Sequence, residues 1–202
     1  YVAWEQTASA DVTVEFQFGD EPWRPAPGFR ATAGAHEQVL VGIPFATSAE
    51  WRVVAVEEAQ TVTLEGSTIS TGPIPSDLPT GVVTATNPSD WEPTGHYLLS
   101  SVSERTGSWP PGPYWVFIVD RQGRMIWAKE TPNRAFTLWA HRSTHGDYIL
   151  WDESTYWSDF GDGEGTHIHK EWLDEQIEQI PADGIVHGFV ELADGAFLYG
   201  SE

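Results

Sequence analysis

The feature that most limits what this chain can fold into is a phrase repeated through its second half: an apolar run, a short turn holding glycine, and a second apolar run. The first copy is Trp115-Val116-Phe117-Ile118-Val119-Asp120-Arg121-Gln122-Gly123-Arg124-Met125-Ile126-Trp127. Leu138 to Trp151 repeats it, with His145-Gly146 at the turn, and Val186 to Tyr199 repeats it again around Asp194-Gly195. Glycine at such a turn supplies the positive φ that two-residue hairpins need. Gly146 and Gly195 stand 49 positions apart, close to the ~40–50 residues of a four-stranded propeller blade. Thr166 to Ile180 falls where the intervening hairpin belongs. Its Leu173, Ile177 and Ile180 would suit a short helix equally, and periodicity alone does not separate the two.

The first 70 residues carry a different texture. Val12, Val14, Phe16 and Phe18 alternate with Thr13, Glu15 and Gln17, the period-2 pattern of a strand with one buried face. Further strands are expected at His36 to Ile43, Trp51 to Val56 and Thr61 to Leu64, with Gly19 to Gly28 a loop. Strands at this spacing point to a sandwich. Val41-Gly42-Ile43-Pro44, a turn and then Trp51-Arg52-Val53-Val54-Ala55-Val56 resembles the fibronectin type III pattern of a Gly-Leu-x-Pro turn before an aromatic and an alternating strand, with Trp51 where that family has Tyr. Thr71 to Pro79 holds Pro73, Pro75 and Pro79. Proline fixes φ and lacks a donor, so this stretch is an extended connector. The expected organisation is therefore all-β: a fibronectin-III/Ig-like sandwich over residues 1–79, then an incomplete β-propeller over 80–202.

Composition narrows the function classes. With 30 Asp+Glu against 10 Lys+Arg and a net charge of −20, the chain cannot neutralise a run of phosphates or adhere electrostatically to anionic lipid. The 11 Trp and 40% hydrophobic residues supply a core, while 19 Gly and 14 Pro disfavour helical bundles. No Cys is present, which removes disulfides and thiolate metal sites. No apolar run approaches the ~20 residues of a membrane span. A cysteine-free acidic chain suits an exported bacterial protein, periplasmic or extracellular, although an intracellular one can look the same; its opening at Tyr1 rather than Met fits a cleaved signal peptide first and another processing boundary second. No Gly-x-Ser-x-Gly, P-loop or Rossmann glycine pattern occurs.

Three segments together resemble the bacterial arylsulfotransferases. They are the Thr71-Gly72-Pro73-Ile74-Pro75 connector, the hairpin from Val116 to Trp127, and Ile185-Val186-His187-Gly188-Phe189-Val190-Glu191-Leu192-Ala193-Asp194-Gly195. The last is similar to that family's His-x-x-x-x-Leu-x-x-Gly segment, whose histidine lines a central channel. The resemblance implies an N-terminal sandwich followed by a six-bladed propeller. It also implies sulfuryl transfer from an aryl sulfate to a phenol through a transiently sulfated histidine, without a nucleotide donor. It places one catalytic residue in this chain, His187, as an accessory channel histidine; the residues alone fit equally a strand histidine hydrogen-bonded to backbone at the propeller rim. The family's nucleophilic His and partner Arg lie in later blades. The chain by itself is then expected to be inactive, with the remainder of the propeller, from the same polypeptide or a second chain, as its partner. Gly188 departs from the pattern, since a second His or an Asp often follows nearby.

About two and a half blades fit between residues 80 and 202, whereas propellers close with about 4–8. An open arc exposes strand edges and half a core. The alternative reading is a non-catalytic sandwich and propeller module for adhesion or assembly at the cell surface.

Other residues weigh less. His167 and His169 share one strand face and would bind a metal jointly only with a third ligand, which spacing does not supply. Asp159-Phe160-Gly161-Asp162-Gly163-Glu164-Gly165 gathers three carboxylates that calcium would accept, but lacks the EF-hand register and reads first as an acidic surface loop. No cofactor is expected. His141 and His145 bracket a turn, Trp109 to Tyr114 leads into the first hairpin, and Trp127, Trp139 and Trp151 read as packing between blades.

Overall fold

The alternating run at Val12 is strand β2, Ala10–Phe18, and its alternation is the pattern of its burial: Ala10, Val12, Val14, Phe16 and Phe18 all lie inside. It belongs to the first of two compact units, Tyr1–Ile74 and Pro75–Glu202. The computed structural model describes residues 1–82, 84, 87, 97–103, 113–132, 135–154 and 165–201, except for the side chains of Val186 and His187. The described residues are strands, turns and loops, with no α-helix, so the protein is all-β. No helix among them is long and apolar enough to cross a membrane.

In the first unit β2 pairs with β3 (Arg24–Pro25), β4 (Phe29–Ala31) and β6 (Ser48–Glu57), and β6 continues to β7 (Gln60–Glu65) and β8 (Ile69–Ser70). A second, two-stranded sheet joins β1 (Val2–Gln6) to β5 (Gly34–Gln38). Val2 and Trp4 of β1 share one apolar cluster with Val12, Val14 and Phe16 of β2 and Trp51 and Val53 of β6. Trp51 lies over Gly66: a Cβ built there would stand 2.1 Å from the indole. Bare backbone is the only occupant that fits, and the Gly66 N–H donates back to the Trp51 carbonyl at 2.8 Å.

Two local readings change. The strand expected over His36 to Ile43 ends at Gln38. Beyond it Gly42 takes φ +108°, Pro44 has no N–H to offer a ladder, and Ile43 turns into the core instead. The loop expected over Gly19 to Gly28 holds the short strand β3, which pairs Arg24 with Phe16.

The second unit is built from consecutive antiparallel sheets. The first runs β11 (Met125–Glu130), β10 (Tyr114–Asp120), β9 (Tyr97–Ser103). The second runs β12 (Ala140–Arg142), β13 (Ile149–Glu153), β14 (His167–Glu171), β15 (Ile177–Pro181). The third is the hairpin β16 (Ile185–Glu191) and β17 (Phe197–Ser201). Among the described residues no sheet closes on itself. Side-chain acceptors fix the turns. Asp120 Oδ1 accepts the N–H groups of Gln122 and Arg124, each at 2.9 Å, while Gly123 takes φ +78°. Buried Ser143 Oγ accepts those of Gly146 and Asp147 at 2.9 and 3.0 Å. Leu173 to Ile180 resolves in favour of the hairpin: Trp172 N–H donates to the Gln176 carbonyl across the turn, and Ile180 pairs with Ile168.

All five residues of β13 are buried, because both faces of its sheet are covered. On one side Ile149 and Trp151 pack with Val116, Ile118 and Ile126 of the first sheet. On the other, Leu150 and Ile168 pack with Ile185 and Phe189 of the third. The outward faces of the two end sheets are apolar. On the first, Val102, Phe117 and Val119 line a groove beside exposed Leu98, together with Pro79 to Val82 of the chain's own connector, and Val190 and Leu198 are exposed on the third.

Candidate functional site

Where the second and third sheets meet, the chain segment holding β12 runs beside β16 in the same direction. Three contacts in rising order establish this. Trp139 lies against Gly188, the His141 and Phe189 rings are 4.9 Å apart, and Thr144 N–H donates to Glu191 Oε2 at 2.7 Å. At the far end Ser154 Oγ donates to the Ile185 carbonyl at 3.2 Å.

His187 lies in β16, where the pairing with β17 skips from Val186↔Gly200 to Phe189↔Tyr199. Its side chain is outside the described residues. The skip explains Gly188. Its φ of +138° is a region that side-chain-bearing residues avoid, and a Cβ there would come 3.4 Å from the Trp139 ring. The position that resemblance would give to a polar residue is here a backbone bulge under an indole.

His141 lies two residues beyond Trp139, inside β12, with its ring against Phe189 of β16. Burial pushes its pKa below the usual 6.5 against an opposing pull from Glu191. Its Nδ1 is buried with no hydrogen-bond partner among the described residues. Deeper in, the Tyr148 hydroxyl donates to Glu191 Oε1. Burial and then Glu191 raise the Tyr148 pKa to about 12. For Glu191, burial pushes upward but the hydrogen bonds from Tyr148 and Thr144 outweigh it, and its pKa falls. His145 is exposed on the turn.

Trp139 departs from the expectation that it packs between sheets: its side chain is exposed to 49%. Its backbone is nevertheless fixed. The Asp152 carboxylate, on a residue only 2% exposed, accepts the Trp139 N–H at 2.7 Å, the Leu138 N–H at 3.0 Å and the Thr137 hydroxyl at 3.2 Å. Burial raises the Asp152 pKa despite these bonds. Nothing local in the sequence announces this, because Asp152 lies 13 residues from Trp139 and meets it only through the β12–β13 register.

The His167 and His169 pair does acquire a third group, Glu153 across the sheet. His169 Nε2 lies 2.6 Å and His167 Nδ1 3.6 Å from Glu153 Oε2. The close contact closes the space an ion would need. Among the described residues no group of three or more His, Asp or Glu is arranged to hold a metal. The pair serves a buried network instead. The His169 ring stacks on Trp151 at 3.7 Å, Trp151 Nε1 donates to Glu171 Oε2 at 3.2 Å, and Lys129 Nζ reaches Glu171 Oε1 from the first sheet at 3.2 Å. The Asp159 to Glu164 loop and Trp109 to Gly112 lie outside the described residues.

No protein-family model, curated protein or solved structure matches this chain.

Proposed function

We propose that this chain is the N-terminal part of an exported arylsulfotransferase-like protein, a sandwich followed by the first blades of a propeller. The observation that carries the reading is the parallel alignment of the β12 segment with β16 at the start of successive face-stacked sheets. Propeller blades are antiparallel sheets stacked around a central channel, and parallel first strands are what such an arrangement requires along that channel. The exposed Val190, Leu192 and Leu198 on the outward face of the last sheet support a further sheet as partner, since apolar surface left in water costs free energy.

In this reading a neutral imidazole attacks the sulfur of an aryl sulfate. An N–S bond forms, the S–O bond to the ring breaks, and the departing phenolate takes up a proton. A second phenol then reverses these steps through its own oxygen, losing its proton. The nucleophile belongs to a later blade. His187 donates a hydrogen bond to a sulfuryl oxygen or relays the phenol proton. That exposed face would also suit a non-catalytic assembly module, and the same experiment separates the two.

The test is sulfate transfer from 4-nitrophenyl sulfate to phenol by the complete protein. His187→Ala should lower turnover by about 10²-fold or more with little change in thermal unfolding. Full activity in that variant removes the role of His187. No transfer by the unmodified complete protein removes the enzyme and favours the assembly module.

A further inference from the structure

We infer that Trp139 is a fixed platform for the aromatic ring of a small aryl ligand, seated beside the two histidine-bearing strands. Its identity as an aryl sulfate or phenol site rests on the sulfuryl-transfer reading; the platform itself rests on geometry.

The argument begins with two things a chain ordinarily avoids. Trp139 keeps a large apolar ring half in water, while Trp115 and Trp151 of the same unit are buried. Asp152 keeps a carboxylate almost wholly out of water, where a charge is tolerated only if well hydrogen-bonded. The two are linked. All three hydrogen bonds to Asp152 Oδ1 come from Thr137, Leu138 and Trp139, so the buried acceptor anchors the backbone that presents the exposed ring. Gly188 then supplies a flat seat, with the ring atoms nearest its missing Cβ at 3.4–3.7 Å.

A ring anchored at its backbone and supported on one side loses little further freedom when another ring stacks on it, which makes the contact favourable. His141 follows two residues on in β12 with its ring against Phe189, and His187 neighbours Gly188 in β16. An aryl group on Trp139 therefore holds its oxygen substituent close to strands that carry imidazoles.

Binding, read separately from turnover, tests this. The 202-residue protein is titrated with 4-nitrophenol and 4-nitrophenyl sulfate, and with inorganic sulfate as the ring-free control. Trp139→Ala should weaken both aryl probes by at least about tenfold, and Trp139→Phe should restore them to within about threefold of the unmodified chain. Inorganic sulfate should bind the same to all three proteins. Equal aryl affinity in Trp139→Ala, or no aryl binding by the unmodified chain, overturns the platform. Trp139-dependent binding of 4-nitrophenol together with no sulfate transfer by the complete protein leaves the platform standing and removes the sulfuryl-transfer reading. Transfer with an unchanged KM in Trp139→Ala does the reverse.

Discussion

Two indoles in this protein each rest on a glycine, and they rest there for different reasons. Trp51 lies over Gly66 inside the first unit, only 7% exposed and surrounded by Phe16, Val53 and their neighbours. Trp139 lies over Gly188 at the meeting of two sheets, with about half its surface in water. At Gly66 the requirement is space, because a Cβ would sit inside the ring. At Gly188 it is backbone conformation, because φ is +138° while the Cβ would meet the ring at near-ordinary contact distance. The first pair is held by packing, the second by a buried carboxylate. The backbone beneath an aromatic side chain can thus be anchored without the ring being covered, and the means of holding it tells the two settings apart.

Six substitutions at five positions break or sharpen this contrast. Trp51→Ala should remove about 3–5 kcal/mol from the stability of the first unit, as expected for deleting a large buried ring. Gly66→Ala should cost about 1–3 kcal/mol by overpacking. Urea unfolding of the full chain reads both, and losses below about 1 kcal/mol would mean the Trp51 seat is soft.

Asp152→Ala should cost about 2–3 kcal/mol, since it leaves two backbone N–H groups and a hydroxyl without their acceptor. Asp152→Asn adds a pH signature. The folded pKa of Asp152 is raised above 3.8 by burial, so the fold favours its protonated form. Its contribution is fully present below pH 3.8 and is lost as the pH rises through the folded value. Unmodified protein should therefore lose stability over that window relative to Asp152→Asn, the reverse of an ion-paired carboxylate. Identical pH curves for the two proteins would mean that the clamp carries no buried charge.

Gly188→Ala should cost about 1–3 kcal/mol through backbone strain. Trp139→Ala should cost least, under about 1 kcal/mol, despite deleting a ring as large as that of Trp51. Thermal unfolding ranks the pair, and a Trp139→Ala loss matching Trp51→Ala would make both rings structural.

Period-2 alternation located β2 and β6, and the Asp-x-x-Gly and Asp-Gly signals located the turns of β10–β11 and β16–β17, because each is written in adjacent residues. The site was less legible because its parts meet through register. Glu153 reaches His169 only because β13 and β14 pair Trp151 with His169. Asp152 reaches Trp139 only because β12 pairs Ala140 with Trp151. Neither pairing has a local signature. Leu173, Ile177 and Ile180 fit helical spacing, yet in the fold they do not share a face: Leu173 packs toward the first sheet, Ile180 toward the third, and Ile177 is exposed. Long-range pairing outweighed the local period.

The order of pairing within each sheet also sets a timetable for assembly. Each described strand of the second unit pairs with its neighbours in the chain, so each sheet can zip up as it is made, with little loop-closure entropy to overcome. The first unit is different. Phe18 of β2 finds its partner at Ala49 of β6, and Val2 finds its own at Gln38. A ribosome releasing this chain presents the harder search first. The edge of β2 that pairs with β6 keeps its hydrogen-bonding groups unpaired until Ser48–Glu57 has emerged, whereas the β16–β17 hairpin can close as soon as its last strand is free.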